Sequence, residues 1–179
     1  SHIVSQLLSL ARTQSQQQEF TQVRLDLVVG KVIGEFQRRM AERNQKIKTD
    51  IHPNTTVAGI EELLFVLLRN LIDNAVKYSS DGGRIHIQLS HLPDRVIFRI
   101  GNSGPGIPES EQQHIFEHFY RLPGNTETGC GLGLALASRI CEMHNAEFSL
   151  ESLSETGMTF FTIKFPFMRS ARGFGVDRV

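Results

Sequence analysis

Cysteine is scarce in this sequence, tryptophan is absent, and neither sign of charge is in excess. The 179 residues contain two cysteines, Cys130 and Cys141, which are too few for a disulfide-rich scaffold and lack the spacing of a metal site. Lysine and arginine total 19 against 19 for aspartate and glutamate, so no net field attracts nucleic acid, and we expect no nucleic-acid partner. No run of about 18 consecutive apolar residues is present, so the pattern predicts no membrane-spanning helix in this stretch.

The stretch 59–78 has the pattern of a long amphipathic helix. Its apolar residues recur with a helical period and form one broad face, made of Ile60, Leu63, Leu64, Leu67, Leu68, Leu71 and Ala75. A polar stripe on the same helix, spaced at i, i+4, i+7 and i+8, consists of Asn70, Asn74, Lys77 and Tyr78. Carboxamide oxygens suit Mg²⁺, a lysine can meet phosphate, and a phenol ring can lie against a flat base. Taken alone, such a stripe is more often a set of solvated polar residues on the outside of a core helix.

Two glycine-rich segments follow downstream. After strand-like runs at 84–90 and 95–100, the segment Asn102-Ser103-Gly104-Pro105-Gly106-Ile107 predicts a tight turn whose backbone can approach a ligand closely. Asn102 presents both a hydrogen-bond acceptor and a donor, which suits the exocyclic amine of adenine. The segment Gly129-Cys130-Gly131-Leu132-Gly133-Leu134 opens an apolar helical run, and glycines at a helix start let backbone N–H groups face a phosphate. Each segment alone is a weak signal, and the second is neither a dinucleotide fingerprint nor a P-loop.

The order of these blocks resembles the ATP-binding catalytic domain of bacterial two-component sensor histidine kinases. These belong to the superfamily of gyrase, heat-shock chaperone, histidine kinase and mismatch-repair proteins (GHKL), and the resemblance covers roughly residues 22–167. The blocks that carry it are the N box at 70–78, the first glycine box at 102–107, the F box at 115–121, the second glycine box at 129–134 and a glycine-threonine block at 157–160. Several such blocks in the right order and spacing are far more specific than any one of them.

The resemblance implies a fold and a division of the chain. The fold is α+β, a two-layer sandwich in which helices cover one face of a mixed, mostly antiparallel sheet, known as the Bergerat ATP-binding fold. The sequence pattern predicts, in order, a strand at 23–27, a helix at 28–44, a strand at 47–51, the helix at 59–78, strands at 84–90 and 95–100, a short helix at 109–116, a helix up to about 144, and strands near Phe148 and Phe161. We expect 1–20 to be the end of a dimerisation helix and a linker, 21–168 the catalytic domain, and 169–179 a flexible tail.

The resemblance also implies roles for individual residues. The catalytic set would be Asn70, Asn74, Lys77 and Arg121. Within this set, Asn74 would hold Mg²⁺ with Asn70 nearby. The positively charged side chains of Lys77 and Arg121 would contact the phosphates. The remaining nucleotide contacts would come from Tyr78, Asn102, Gly104, Gly106, Ile107, Phe119, Gly129, Gly131, Leu132, Gly133, Leu134 and Thr159. Asn102 is a departure, because the family usually has aspartate there to accept the adenine amine, and an amide oxygen accepts the same bond without the charge. The segment 122–128 would be a short lid.

Asn70 narrows the chemistry that the resemblance implies. Hydrolase branches of the superfamily typically have glutamate at this position as a general base for water, and an amide cannot take a proton at neutral pH. We therefore expect the chain to bind Mg-ATP and to donate the γ-phosphoryl group to a histidine of its own dimerisation domain, for relay to a response regulator. None of the seven histidines has the family's acceptor signature, so we expect that histidine outside this chain, in an upstream part of the protein.

The same resemblance implies a cellular setting. The parent protein would be a homodimer anchored in the inner membrane, with this domain on the cytoplasmic side and monomeric when isolated. Two alternatives stay open on the sequence: a regulatory module that holds nucleotide without catalysis, and another GHKL-type protein kinase or ATPase. Asn102 leaves room for the regulatory module, whereas Asn70 argues against the ATPase.

Overall fold

Seven strands and three helices make up most of the computed structural model, which describes residues 20–117, 120, 131–153 and 157–166. The helices are α1 (Leu25–Glu42), α2 (Glu61–Tyr78) and α3 (Gly133–Met143). The strands are β1 (Thr21–Arg24), β2 (Lys46–Ile51), β3 (Thr56–Gly59), β4 (Arg84–His91), β5 (Arg95–Ser103), β6 (Glu147–Leu153) and β7 (Met158–Pro166). Two 3₁₀ turns, Glu109–Glu111 and His114–Phe116, follow β5.

Five of the strands form one mixed sheet in the order β2-β4-β5-β7-β6. β2 runs parallel to β4, and the other three pairings are antiparallel. β1 and β3 pair separately as a two-stranded antiparallel ribbon. The described residues therefore have an α+β architecture with a mixed, mostly antiparallel sheet, which confirms the predicted fold class.

The inward face of the central strands is an apolar ladder that ends in polar residues. On β5 the alternate residues Val96, Phe98 and Ile100 are buried, as the twofold period of a strand requires when one face is covered. They pair in register with Phe165, Ile163 and Phe161 of β7, which are buried on the same face. One step further along each strand, the same face carries Asn102 and Thr159. The core thus leads directly to a pair of buried polar side chains.

The helices lie over that inward face. α2 is the central helix, because it contacts α1, α3 and β5. Its buried residues recur with helical spacing, which matches the amphipathic pattern of the sequence: Leu64, Leu67, Leu68, Leu71, Ile72, Ala75 and Val76. No helix among the described residues is both long enough and apolar enough to cross a membrane.

The predicted boundary between the first strand and the first helix is wrong by a few residues. The strand ends at Arg24 and α1 starts at Leu25, whereas the sequence pattern placed 23–27 in the strand. Leu25 is fully buried while Leu27 is 61% exposed, an arrangement that a strand would not give, since i and i+2 share one face there. Asp26 reinforces the helix start, because a carboxylate in the first turn suits the helix dipole.

Two further details differ from the sequence-based prediction. The strand β3 was missed, because it is only four residues long and follows a turn in which Asn54 has a φ of 55°. The predicted short helix at 109–116 is two separate 3₁₀ turns rather than one α-helix. The predicted dimerisation-helix remnant at 1–20 lies almost wholly outside the described residues, and the lid at 122–128 and the tail at 169–179 lie entirely outside them.

Candidate functional site

The Asn70 side chain meets the start of α3. Its Nδ2 donates a hydrogen bond to the Val66 carbonyl one turn earlier on α2, at 2.8 Å. This bond fixes the orientation of the carboxamide, because only its nitrogen can donate, and it leaves Oδ1 as an acceptor turned away from the helix backbone. A Cβ added at Gly133 would lie 2.9 Å from Asn70 Oδ1. The two residues therefore lie close together, and glycine permits the close approach.

The first turn of α3 has no side-chain cap. Leu132 occupies the N-cap position, and its side chain can offer no hydrogen bond to the backbone N–H groups that follow. The first helical bond runs from the Leu136 N–H to the Leu132 carbonyl at 2.9 Å. The N–H groups of the preceding residues have no partner within the helix, and they point from its positive end. Beside Asn70, they form a set of donors suited to an anion.

Asn74 continues the polar stripe one turn beyond Asn70. It is half-buried, and its carboxamide makes no hydrogen bond to another residue of the described segments. Two carboxamides one turn apart, one of them with its oxygen held outward, supply neutral oxygen ligands of the kind that Mg²⁺ accepts. No group of three or more histidine, cysteine, aspartate or glutamate side chains forms a metal site in the described part of the chain.

Lys77 and Tyr78 close the stripe at the end of α2. Lys77 is 8% exposed, and its Nζ lies 5.3 Å from the centroid of the Tyr78 ring, within cation–π range. Tyr78 itself is 37% exposed. Its backbone carbonyl approaches Gly104 so closely that an added Cβ there would lie 2.5 Å from the oxygen. The glycine turn after β5 thus abuts the end of the α2 stripe.

Asn102 and Thr159 lie side by side at the ends of β5 and β7. They are paired in register and are 6% and 4% exposed, respectively. Thr159 Oγ1 lies 3.1 Å from Ser152 Oγ on β6, and Ser152 Oγ accepts the Ile107 N–H at 2.8 Å. The hydroxyl of Ser152 therefore joins the turn, where Gly106 has a φ of 77°, to the strand that holds Thr159.

Ser152 is a site residue that the sequence analysis missed. The signal was present: Phe148 and Leu150 alternate with polar residues on β6, and Ser152 is the next residue of the same parity. Its partners were not predictable from that alternation, because they depend on the register in which Ser152 faces Thr159. Ser103 has a similar supporting role, since its Oγ accepts the Arg84 N–H at 2.7 Å.

The turn after β5 is also held from the far side. The Gly104 N–H donates to the Gly157 carbonyl at 3.0 Å, and Gly157 has a φ of 61°. The glycine-threonine block at 157–160 and the first glycine box are therefore in direct contact, although more than fifty positions separate them in the sequence. This contact brings Gly104, Gly106 and Thr159 to one place.

A buried histidine anchors the other end of α3. His144 Nε2 accepts the Ile60 N–H at 3.2 Å, and Nδ1 lies 2.8 Å from the Ile140 carbonyl, to which it donates. Burial lowers the pKa of His144 below its usual value, although the hydrogen bond to Ile140 acts in the opposite direction. The ring is therefore neutral near pH 7, and it ties the end of α3 to the start of α2. His144 is thus a packing residue of the core.

Part of the predicted site lies outside the described residues. Arg121, Phe119 and Gly129 belong to this group, together with Cys130 and the lid. Their roles stay predictions. The described residues bring parts of the remaining site together in two clusters: Asn70 of α2 with the start of α3, and Asn102 with Gly104, Gly106, Ile107 and Thr159.

Comparison with known proteins gives matches over most of the chain. The family described as histidine kinase-, DNA gyrase B-, and HSP90-like ATPase matches residues 59–169. The adaptive-response sensory kinase SasA from Nostoc sp. is 37% identical over 143 residues, which cover 78% of this chain and 36% of SasA. The catalytic domain of histidine kinase ThkA, in a nucleotide-free form, gives a TM-score of 0.75 at 25% identity, over 83% of this chain and 95% of that one.

A third relative is a solved structure with a nucleotide analogue. Full-length ShkA in complex with AMPPNP matches with a TM-score of 0.72 and 26% identity, over 85% of this chain and 32% of ShkA. The chain spans about a third of the length of the curated relatives that it matches.

Proposed function

The chain belongs to the histidine kinase-, DNA gyrase B-, and HSP90-like ATPase family, and we propose that it is the ATP-binding catalytic domain of a sensor histidine kinase. In this proposal it binds Mg-ATP and donates the γ-phosphoryl group to a histidine on a separate dimerisation domain. The single observation that carries the proposal is the contact between Asn70 Oδ1 and the glycine that starts α3. It joins a carboxamide suited to a metal with helix N–H groups suited to a phosphate.

Magnesium fits the donor set of the α2 stripe. Asn74 and Asn70 would hold it, since each carboxamide offers a neutral oxygen and Mg²⁺ takes the rest of its ligands from water and phosphate. When bound, the ion would neutralise charge that develops on the phosphates during transfer. Support comes from Asn70 Oδ1, which the bond from Nδ2 to Val66 leaves turned outward as an acceptor.

Phosphate would be held from two sides. The uncapped N–H groups at the start of α3 would face the anion, with Gly131 and Gly133 allowing the backbone to come close. Lys77 and Arg121 would add positive charge, Lys77 from the end of α2. Gly129, Leu132 and Leu134 would complete the loop around the triphosphate.

The base would lie between the end of α2 and the turn after β5. Asn102 would accept a hydrogen bond from the adenine amine, and Thr159 would support it from the next strand. Tyr78, 37% exposed, offers a flat surface for the purine. Gly104, Gly106, Ile107 and Phe119 would shape the rest of this pocket.

The chemistry that fits these residues is transfer rather than hydrolysis. The histidine nitrogen would attack the γ-phosphorus in line, and ADP would leave as the bond to the β–γ bridging oxygen breaks. The side chain of Asn70 cannot activate water by taking its proton, since an amide is not a base at neutral pH. The residues of this chain would therefore bind Mg-ATP, orient its γ-phosphoryl group and neutralise the charge on the phosphates.

The partners follow from the same proposal. They are the dimerisation domain that carries the phosphate-accepting histidine, and a response regulator that receives the phosphoryl group from it. The parent protein would be a homodimer anchored in the inner membrane, with this domain on its cytoplasmic side. The names of two relatives, a sensory kinase and a sensor protein kinase, support the kinase role on which this setting depends.

Calorimetric titration with ATP, with and without Mg²⁺, tests the nucleotide site. We expect saturable binding that Mg²⁺ strengthens, and we expect Asn74→Ala to weaken Mg-ATP binding by at least about 10-fold, because a metal ligand is lost. Gln37→Ala is the matched control, since it removes an exposed carboxamide from α1. Equal Mg-ATP affinity in Asn74→Ala and the control would contradict the metal assignment.

One observation favours a second function, a nucleotide-binding module that regulates without catalysis. Asn102 carries no charge where the resembled kinases usually have aspartate, which weakens the expected hold on adenine. Tight binding of Mg-ATP together with failure to phosphorylate a supplied dimerisation domain would favour this second function.

A further inference from the structure

The Asn102 carboxamide is buried, yet its hydrogen-bonding groups are unoccupied among the described residues. The residue is 6% exposed, and its side chain makes no hydrogen bond to another residue of the described segments. Three polar side-chain atoms in those segments are fully buried and have no hydrogen-bond partner: Gln45 Oε1, His86 Nε2 and Arg99 Nε. The side-chain atoms of Asn102 do not belong to this group. The carboxamide therefore reaches solvent through its small exposed fraction and can exchange water for a ligand.

The immediate neighbours of Asn102 leave its orientation open. Ile85 and Thr159 flank it in the sheet, and both are uncharged. Thr159 Oγ1 is already within hydrogen-bond distance of Ser152 Oγ. Gly104 presents no side chain, although an added Cβ there would lie 3.5 Å from Asn102 Nδ2. None of these contacts fixes which side of the Asn102 carboxamide carries the nitrogen and which carries the oxygen.

We propose that Asn102 lets this site accept 6-oxopurine nucleoside triphosphates as well as ATP, a proposal that rests on the nucleotide site proposed above. Adenine presents a donor at its 6-amino group, whereas a 6-oxopurine presents an acceptor at O6. Next to these groups the ring nitrogen N1 is an acceptor in adenine and a protonated donor in hypoxanthine. A carboxamide offers one oxygen acceptor and one nitrogen donor, and a half-turn about its last bond exchanges them. Asn102 can therefore pair with either edge.

A carboxylate at the same position would discriminate where the carboxamide does not. An ionised aspartate has two acceptor oxygens and no donor, so it pairs with the adenine amine and repels a carbonyl oxygen at the same place. In a buried position, the mismatched pair would also leave two acceptors without a hydrogen bond. Asparagine at position 102, in place of the aspartate of the resembled kinases, thus widens the range of bases that the site accepts rather than simply weakening its affinity for adenine.

The test compares ITP with ATP on the same protein. Calorimetry in the presence of Mg²⁺ measures the ratio of the two Kd values for the wild type, for Asn102→Asp and for Asn145→Asp. We expect the wild-type ratio of ITP to ATP to lie within about 10-fold, since both bases are paired, and Asn102→Asp to raise it roughly 5- to 150-fold, as loss of one bidentate pair does. Asn145→Asp adds the same charge at an exposed position and should leave the ratio unchanged.

The outcomes separate this proposal from the one on which it rests. Wild-type protein that binds ATP but discriminates against ITP by more than about 100-fold overturns the role of Asn102 and leaves the ATP site standing. A ratio that does not change in Asn102→Asp overturns it equally. A folded protein that binds neither nucleotide overturns both proposals. The ratio is insensitive to partial unfolding of a variant, because unfolded molecules are lost from both titrations alike.

Discussion

At the scale of single residues, the candidate site depends on one side chain whose orientation is set by its own helix. Asn70 uses its nitrogen for the Val66 carbonyl at 2.8 Å, so its oxygen is the group left for a ligand. Gly133 stands opposite that oxygen, and a Cβ there would lie 2.9 Å from it. Such an approach is shorter than an ordinary van der Waals contact, so a side chain at 133 would push the carboxamide aside. The contact is with the end of a side chain rather than with backbone, and the fold itself can absorb the change.

Gly133→Ala should therefore damage the site and spare the fold. We expect Mg-ATP affinity to fall by about 10-fold or more, because Asn70 Oδ1 must move, in line with the effect of disturbing metal ligands. The urea midpoint of unfolding should stay close to that of the wild type. Calorimetry and urea unfolding measured on the same preparation check both parts.

Gly34→Ala is the matched control for this substitution. Gly34 lies inside α1, and an added Cβ there would meet nothing within 4 Å. Alanine should stabilise the domain by about 0.5–1 kcal/mol, since glycine is unfavourable inside a helix, and should leave nucleotide affinity unchanged. Unaltered Mg-ATP binding by Gly133→Ala would show that the contact with Asn70 has no part in the site.

At the scale of elements, α3 is a short helix fixed at both ends. Its first residue meets Asn70 in the middle of α2, and His144, just past its last residue, bonds the backbone at the start of α2. Between these ends Ala137, Ile140 and Cys141 are buried in the core. A change at His144 can therefore alter how well the glycine end of α3 is held against the α2 stripe.

The stability of the domain should fall as the pH drops below the ordinary pKa of histidine. Burial lowers the pKa of His144, so the unfolded chain takes up its proton more readily than the native state does. The stability from the neutral ring is complete above the ordinary value of 6.5 and is lost as the pH falls toward the lowered pKa. The acid limb is the part of the stability curve in which the free energy of unfolding falls as the pH drops. We expect His144→Gln to flatten this acid limb, as measured by urea unfolding from pH 8 to pH 5.

His114→Gln provides a control of opposite sign. The hydrogen bond with Glu117 raises the pKa of His114, so its contribution is present at acidic pH and is lost as the pH rises. Its replacement should leave the acid limb as steep as in the wild type or slightly steeper. An acid limb that is equally steep in wild type and His144→Gln would contradict the assignment to His144.

At the scale of the whole molecule, the elements with a periodic apolar pattern were predictable from the sequence. The features that depend on how distant strands pair in register were missed. The α2 stripe and the order of elements followed from periodicity, as did the apolar alternation of β5. The strand β3 was missed because four residues carry too little pattern, and its pairing with β1 is long-range. The role of Ser152 was missed because it also depends on long-range contacts, since its partners Ile107 and Thr159 come from two other segments.

The family likeness and the described geometry together favour a domain that presents phosphate to a partner. The relatives are sensory kinases about three times as long as the matched region, so the accepting histidine belongs to a part of the protein beyond this domain in our proposal. Binding alone would fit a regulatory module as well. Transfer of the phosphoryl group is what distinguishes a kinase domain.

Phosphotransfer to a supplied dimerisation domain is the most direct measurement of the central claim. The assay mixes this domain with Mg-ATP labelled at the γ-phosphate and the dimerisation domain that our proposal places elsewhere in the same protein, and follows acid-labile, base-stable label on histidine. We predict labelling by the wild type, none above background by Asn74→Ala, and undiminished labelling by Gln37→Ala. Equal labelling by Asn74→Ala and wild type, or no labelling by a wild-type domain that binds Mg-ATP, would contradict the account.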